Sequence, residues 1–147
     1  MIGLESTASS LLALVLVLEP VLEDGALEFE AAHLVGVGGA IGALLRYAVY
    51  ERLSDERYPW PTLVVNVVGS FVFGAATFAG AGESAIQFVG IGICGAFTTF
   101  SSFSVETVQL YERGDRKLAV ANAAGNLVLS VTAIGLAWVI ASTAPGL

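Results

Sequence analysis

The sequence has very little charge. Only 13% of its 147 residues are Asp, Glu, Lys or Arg, whereas a soluble domain carries about 25%. So few charged side chains cannot cover a globular surface in water, and the mean hydropathy of +0.81 agrees with this. These values predict an integral membrane protein, and the length fits a single domain.

Basic residues and cysteine are scarce as well. Six basic residues against thirteen acidic ones give a net charge of -7, which argues against a nucleic acid partner because phosphate binding requires a basic patch. Cys94 is the single cysteine, so it cannot form an intrachain disulfide, and we interpret it as a small buried apolar residue. We find no nucleophile–base pair or set of metal-ligating side chains, and we do not expect an enzyme.

The first 31 residues differ in character from the rest. They carry six acidic residues, and their apolar run at 11–18 is shorter than the ~20 residues needed to cross a bilayer. A secretory signal would require a basic residue before that run, and none is present. We expect residues 1–31 to form an acidic extension, poorly ordered or lying at the membrane interface, and residues 32–147 to form the membrane domain.

Four apolar stretches follow, at about 32–50, 61–82, 84–110 and 118–142. Each is long enough to cross a bilayer, and helices are the default because lipid leaves no partner for free backbone groups. Small residues recur four apart, at Gly38 and Gly42 and at Ala121 and Gly125, which is typical of helices that approach closely in lipid. The sequence therefore predicts an all-α membrane protein, a compact bundle of four transmembrane helices.

The basic residues are concentrated on one side of this predicted bundle. Five of the six lie in the connectors after the first and third spans, and those connectors share one side of the membrane. The positive-inside rule places both connectors in the cytoplasm and both termini outside. We therefore predict a multi-pass protein of the cell membrane in this orientation.

The second and fourth spans carry polar side chains four residues apart, which keeps them on one helical face. They are Thr62, Asn66 and Ser70 in the second span and Asn122, Asn126 and Ser130 in the fourth. Hydrogen bonds between helices would account for one such stripe. Two stripes in so small a protein favour a narrow polar conduit.

The third span contains a segment, 95–103, that is poorly suited to a regular helix. It combines Gly95 with the β-branched pair Thr98 and Thr99 and with two further hydroxyl residues. We expect the helix to be broken there in mid-membrane, where protein, water or an ion must satisfy the freed backbone groups. A structural kink is the alternative.

The acidic residues also limit the mechanism. None lies in the middle of a span, and Glu106, near the end of the third, comes closest. A proton-coupled exporter needs a titratable carboxylate in the membrane, whereas neutral hydroxyl and amide donors suit an anion. The alternatives are a small multidrug-type proton-coupled antiporter, also four-helical, and a structural membrane protein without a conduit.

Three segments, 38–47, 62–71 and 92–103, together resemble the CrcB/Fluc family of fluoride channels in order, spacing and span. The third, GICGAFTTFSSF, is the most specific, and the resemblance covers about residues 34–142. It implies a fluoride-selective channel that lowers cytoplasmic fluoride by passive export. It also implies an antiparallel dimer, formed with a homologous subunit or with a second copy of the chain.

The resemblance further implies roles for individual residues. The backbone carbonyls of Gly95 and Thr98 would bind a structural sodium ion, Na+, between the subunits. Arg46 would be a vestibule or structural charge. The fluoride path would be lined by Asn66, Phe100, Phe103, Ser101, Ser102, Asn122, Asn126 and Ser130. Short neutral donors and the positive edges of phenylalanine rings can replace the water around fluoride without trapping it.

The charge distribution bears on the choice of partner. A homodimer whose two copies insert in opposite directions needs nearly balanced basic residues on the two sides, and this chain is unbalanced. We therefore favour insertion in one direction and pairing with an oppositely oriented homologue, with the homodimer as the alternative.

Overall fold

The computed structural model describes residues 30–53 and 57–143. Within them, four helices are long and apolar enough to cross a membrane, Glu30–Leu53, Trp60–Phe78, Glu83–Glu112 and Arg116–Thr143. This confirms the predicted all-helical protein with four candidate spans. The predicted acidic extension lies outside the described residues, apart from Glu30 and Ala31, with which the first helix begins. From Leu34 onward, the described residues belong to the second of two compact units.

We number the helices in chain order, with the third span divided into two. They are α1 (Glu30–Leu53), α2 (Trp60–Phe78), α3 (83–97), α4 (Phe100–Glu112) and α5 (Arg116–Thr143). Helix α3 is π-helical over Ile86–Cys94 and α-helical on either side of that stretch. Between α3 and α4, Thr98 and Thr99 have extended backbones, with ψ 161° and φ -151° respectively.

Glycine and proline mark the turns between spans. Gly80 after α2 and Gly114 after α4 have φ of 70° and 89°, and among the described residues no other has a positive φ. Glycine adopts this left-handed conformation without steric cost. Pro61 lies in the first turn of α2, where its missing N–H removes no helical bond.

Helix α1 packs against the π-helical part of α3 through two glycines. A Cβ at Gly38 would overlap the carbonyl oxygen of Phe88, and one at Gly42 would overlap that of Ile93. The predicted close approach of small residues is therefore correct for this pair. At Gly125 the nearest atom to an added Cβ is the Tyr58 hydroxyl oxygen, at 3.7 Å, so the second predicted pair does not bring two helix backbones together.

Among the helices from α2 to α5, α2 has its most extensive contact with α5. The largest side chains at the centre of the bundle are Leu110, Val65, Asn122 and Thr62, all with less than 2% of their surface exposed. Much of the outer face of α5 is apolar and exposed, including Leu127, Val131 and Trp138. This distribution, polar groups inside and apolar groups outside, is that of a protein surrounded by lipid.

Aromatic and basic residues meet at the end of the bundle where α2 begins and α4 ends. The rings of Tyr58 and Trp60 lie 4.8 Å apart, and the Arg116 guanidinium lies 5.3 Å from the centre of the Tyr111 ring. Burial raises the pKa of the Tyr58 phenol. Aromatic rings beside basic residues are typical of the boundary between lipid and water.

Candidate functional site

Two backbone amides at the interruption between α3 and α4 bond to side chains instead of helical carbonyls. In a continuous α-helix, the N–H of Thr99 would bond to the carbonyl of Gly95, and the N–H of Ser102 to that of Thr98. Instead, Thr99 N–H donates to Oδ1 of Asn66 at 2.8 Å, and Ser102 N–H donates to Oγ1 of Thr99 at 3.1 Å. The carbonyls of Gly95 and Thr98 thus both lose their helical donors.

Asn66 of α2 bonds to both backbone polar groups of Thr99. Besides accepting from the N–H, it donates from Nδ2 to the Thr99 carbonyl at 3.1 Å. Nδ2 also donates to Oδ1 of Asn126 on α5 at 2.9 Å. An amide nitrogen has two hydrogens, so both of those on Asn66 are used within the protein.

The asparagines of α5 continue this series of bonds. Asn126 donates from Nδ2 to both the side-chain and the backbone oxygen of Asn122, each at 3.0 Å. Asn122 in turn donates from Nδ2 to Oγ1 of Thr107 on α4 at 2.8 Å. The two stripes expected from the sequence therefore face each other, and their amides connect α2, α4 and α5.

A cavity of about 570 Å³ lies beside the interruption. Of the residues expected on the fluoride path, five line it, and none of its lining residues carries a formal charge. The lining consists of Asn66, Ser70, Thr98, Thr99, Phe100, Phe103, Ala123, Asn126, Leu127, Ser130, Val131 and Ile134. Phe100 is 80% exposed and Leu127 67%, so the cavity opens onto the outer surface of the bundle.

The hydroxyls and rings that line the cavity differ in how they are engaged. The rings of Phe100 and Phe103 lie 5.6 Å apart at an angle of 50°. Within residues 30–53 and 57–143, the hydroxyls of Ser70 and Ser130 form no hydrogen bond with the protein. These two hydroxyls are therefore available as donors to a small anion in the cavity.

Three residues expected on the path do not line the cavity. The hydroxyls of Ser101 and Ser102 lie 3.2 Å and 3.1 Å from Oγ1 of Thr99, at the start of α4. Asn122 is fully buried between α4 and α5. All three side chains instead form hydrogen bonds within the protein near the cavity.

Arg46 of α1 reaches the same interruption from another side. Its Nη1 donates to the carbonyl of Thr98 at 3.3 Å, although the two residues lie 52 positions apart in the chain. The expected vestibule or structural charge therefore lies at one of the two carbonyls expected to bind sodium.

A second polar cluster, not expected from the sequence, lies near the basic end of the bundle. Thr62 donates to Oε1 of Glu106 at 2.8 Å, and its oxygen lies 2.6 Å from the hydroxyl of Tyr50. Oε2 of Glu106 is buried, and no hydrogen-bond partner for it lies in the described part of the chain. The residue spacing could have indicated this cluster, because Thr62 precedes Asn66 by one helical turn and Glu106 follows Ser102 by one.

Comparison with known proteins gives matches across this whole region. The family model described as "CrcB-like protein, Camphor Resistance (CrcB)" matches residues 33–138. "Fluoride-specific ion channel FluC 2" of Haloarcula marismortui is 55% identical over 109 residues, which cover 74% of this chain and 92% of the relative. "Fluoride-specific ion channel FluC 1" of Halobacterium salinarum is 51% identical over 110 residues, with coverage of 74% and 92%. A FluC protein of Methylobacterium radiotolerans is 39% identical over 125 residues, with coverage of 79% and 87%.

Proposed function

The chain belongs to the CrcB/Fluc family, and from that premise we propose that it is a subunit of a fluoride channel that lowers cytoplasmic fluoride by passive export. The observation that carries the proposal is the uncharged cavity beside Thr98 and Thr99, where unpaired hydroxyls and phenylalanine rings lie within a membrane-spanning bundle. All its lining residues lie inside the segment matched by the family model.

The chemistry of the cavity suits a small, strongly hydrated anion. The hydroxyls of Ser70 and Ser130 can donate to fluoride as it loses water, and the positive ring edges of Phe100 and Phe103 can face it. The lining carries no cationic side chain that would hold the ion too tightly. Conduction requires binding weak enough for the ion to leave, so neutral donors are appropriate.

We also propose that the carbonyls of Gly95 and Thr98 hold a structural sodium ion. Neither receives its helical N–H, which supports the proposal because a carbonyl without that donor can coordinate a cation. Thr98 also accepts from Arg46, but a carbonyl oxygen has two lone pairs and can accept twice. Sodium, when bound, supplies a fixed positive charge at the interruption.

The proposed assembly is an antiparallel dimer in the membrane. Its support is the exposure of Phe100, 80%, beside a cavity that opens onto the outside of the subunit. A second subunit would cover that opening and leave the remaining apolar surface to lipid. The basic connectors would face the cytoplasm, and their imbalance favours an oppositely oriented homologue over a second copy.

Fluoride efflux from liposomes tests this proposal. The purified chain is reconstituted alone and together with a homologue of opposite charge bias, and efflux of fluoride is compared with that of chloride. We expect fluoride efflux well above that of chloride when the homologue is present. Strong efflux from the chain alone would refute the need for a homologue, whereas impermeability to fluoride in both preparations would refute the channel.

The antiporter alternative is not favoured. It requires a carboxylate that exchanges protons with both sides of the membrane. Glu106 is the acid farthest from a helix end within the spans, but Oε1 accepts from Thr62 and Oε2 is buried. The relatives, moreover, are named as ion channels.

A further inference from the structure

We propose that Asn66 acts as a positioning residue for the sodium site, because it withholds the Thr99 N–H from the Gly95 carbonyl. This inference rests on the sodium part of the proposed function. In a regular helix, Thr99 N–H would close the turn on Gly95. Asn66 Oδ1 takes this N–H at 2.8 Å instead, and the Gly95 oxygen remains available for a cation.

The burial of Thr99 makes this bond decisive. Thr99 lies along the cavity, but only 6% of the residue's surface is exposed, so water reaches little of it. A buried N–H without a partner is costly, and in the absence of Asn66 Oδ1 the helical acceptor, the carbonyl of Gly95, is the natural replacement. Loss of the asparagine amide therefore favours closure of the helical turn and removal of one sodium ligand.

The asparagines of α5 determine which way the Asn66 amide faces. Nδ2 of Asn66 donates to Oδ1 of Asn126, whose own Nδ2 is directed at the oxygens of Asn122. A flipped Asn66 would set its oxygen against Oδ1 of Asn126 and against the carbonyl of Thr99. The stripe on α5 thus holds Oδ1 of Asn66 toward the N–H of Thr99.

This arrangement separates Asn66 from the serines that line the same cavity. Both its Nδ2 hydrogens are engaged, whereas the hydroxyl of Ser70, one turn further along α2, has no partner among the described residues. Asn66 should therefore act mainly through the cation site, and Ser70 directly on the anion.

The test compares Asn66→Ala with Ser70→Ala in the full chain, reconstituted with its partner where one is needed. The melting temperature and the rate of fluoride efflux are each measured against sodium concentration, with N-methylglucamine as the replacement cation. We expect Asn66→Ala to raise the half-saturating sodium concentration about tenfold or more in both measurements, as for other residues that orient metal ligands. Ser70→Ala should slow efflux without changing the half-saturating concentration.

Slower efflux in Asn66→Ala at an unchanged half-saturating sodium concentration would overturn the inference, since the residue would then act on the anion alone. A melting temperature lowered equally at every sodium concentration would overturn it too. If Asn66→Ala does not fold, Asn126→Ala replaces it, and we expect a smaller shift in the same direction. A wild-type channel that conducts fluoride without any response to sodium would refute the proposed sodium site, and this inference with it.

Discussion

Gly42 of α1 lies directly against the main-chain carbonyl of Ile93, so that a Cβ at this position would overlap the oxygen. One turn further along α1, Arg46 donates to the carbonyl of Thr98. The contact between the two backbones therefore sets the depth at which the guanidinium meets the interruption. Gly39, on another face of α1, has no atom within 4 Å of an added Cβ.

This difference predicts opposite results for two alanine substitutions in α1. Gly42→Ala forces the α1 and α3 backbones apart, and we expect a loss of about 1–3 kcal/mol of stability. Gly39→Ala should be neutral or slightly stabilising because alanine favours the helix. Thermal unfolding in detergent compares the two, and equal melting temperatures would contradict the close contact.

Asn122→Ala should destabilise the bundle. The side chain is fully buried, and its loss removes the donor to Thr107 and one of the two acceptors of Asn126. Losing two buried hydrogen bonds costs about 1–3 kcal/mol. Thr132→Ala, at an exposed position of the same helix, should stay within about 0.5 kcal/mol of wild type. Unfolding by denaturant measures both, and similar stabilities for the two variants would contradict the amide network.

Ser130→Ala should affect transport without affecting the fold. Its hydroxyl lines the cavity and has no protein partner in the described ranges, so removing it leaves no protein group unsatisfied. We expect a severalfold slower fluoride efflux at an unchanged melting temperature. Ser142→Ala is the control, because this serine bonds to Trp138 of its own helix, outside the cavity. If Ser130→Ala shows the wild-type rate of fluoride efflux, this hydroxyl does not lie on the anion path.

Phe100→Ile should likewise reduce efflux while the subunit remains folded. The ring is 80% exposed in the subunit, so its replacement sacrifices little packing within the chain. It does remove the positive ring edge that can face an anion. Phe78→Ile, at the end of α2 and outside the cavity, serves as control. Equal efflux rates in the two variants would show that the ring of Phe100 plays no part in conduction.

Glu106→Gln should be neutral or stabilising, whereas Glu106→Ala should destabilise. Glutamine retains an oxygen that can accept from Thr62, and it removes the charge from a group with one buried, unpartnered oxygen. Alanine loses the acceptor as well, so that the buried Thr62 hydroxyl keeps only its bond with Tyr50. Melting temperatures rank the three proteins. A glutamine variant less stable than the alanine variant would mean that the negative charge itself is required.

Periodicity in the sequence was sufficient to predict the four spans and the two polar stripes. Asn66 on α2 lines the same cavity as Asn126 and Ser130 on α5, because residues four positions apart lie on one helical face. The same reasoning could not identify partners across helices. The bond from Arg46 to Thr98 joins residues 52 positions apart, and no spacing predicts it.

Residue spacing also fails to predict which side chains share a face across the interruption itself. Helix α4 begins anew at Phe100 after two extended residues, so its rotation does not continue that of α3. Ser101 and Ser102 bond to Thr99 at the start of α4 and do not line the cavity, because Phe100 and Phe103, three residues apart, share the helical face that does. The π-helical stretch at Ile86–Cys94 further alters the count of residues per turn.

The sideways opening of the cavity bears on what would drive two subunits of the proposed dimer together. Lipid tails are as apolar as leucine, so no hydrophobic effect pulls one subunit onto another inside a bilayer. A solitary subunit would, however, expose the hydroxyls of Ser70 and Ser130 to hydrocarbon, where a polar group without an acceptor costs several kcal/mol. The proposed dimer would enclose these hydroxyls with water or an anion and so remove that penalty, and the groups proposed to serve the passing ion would then also promote assembly.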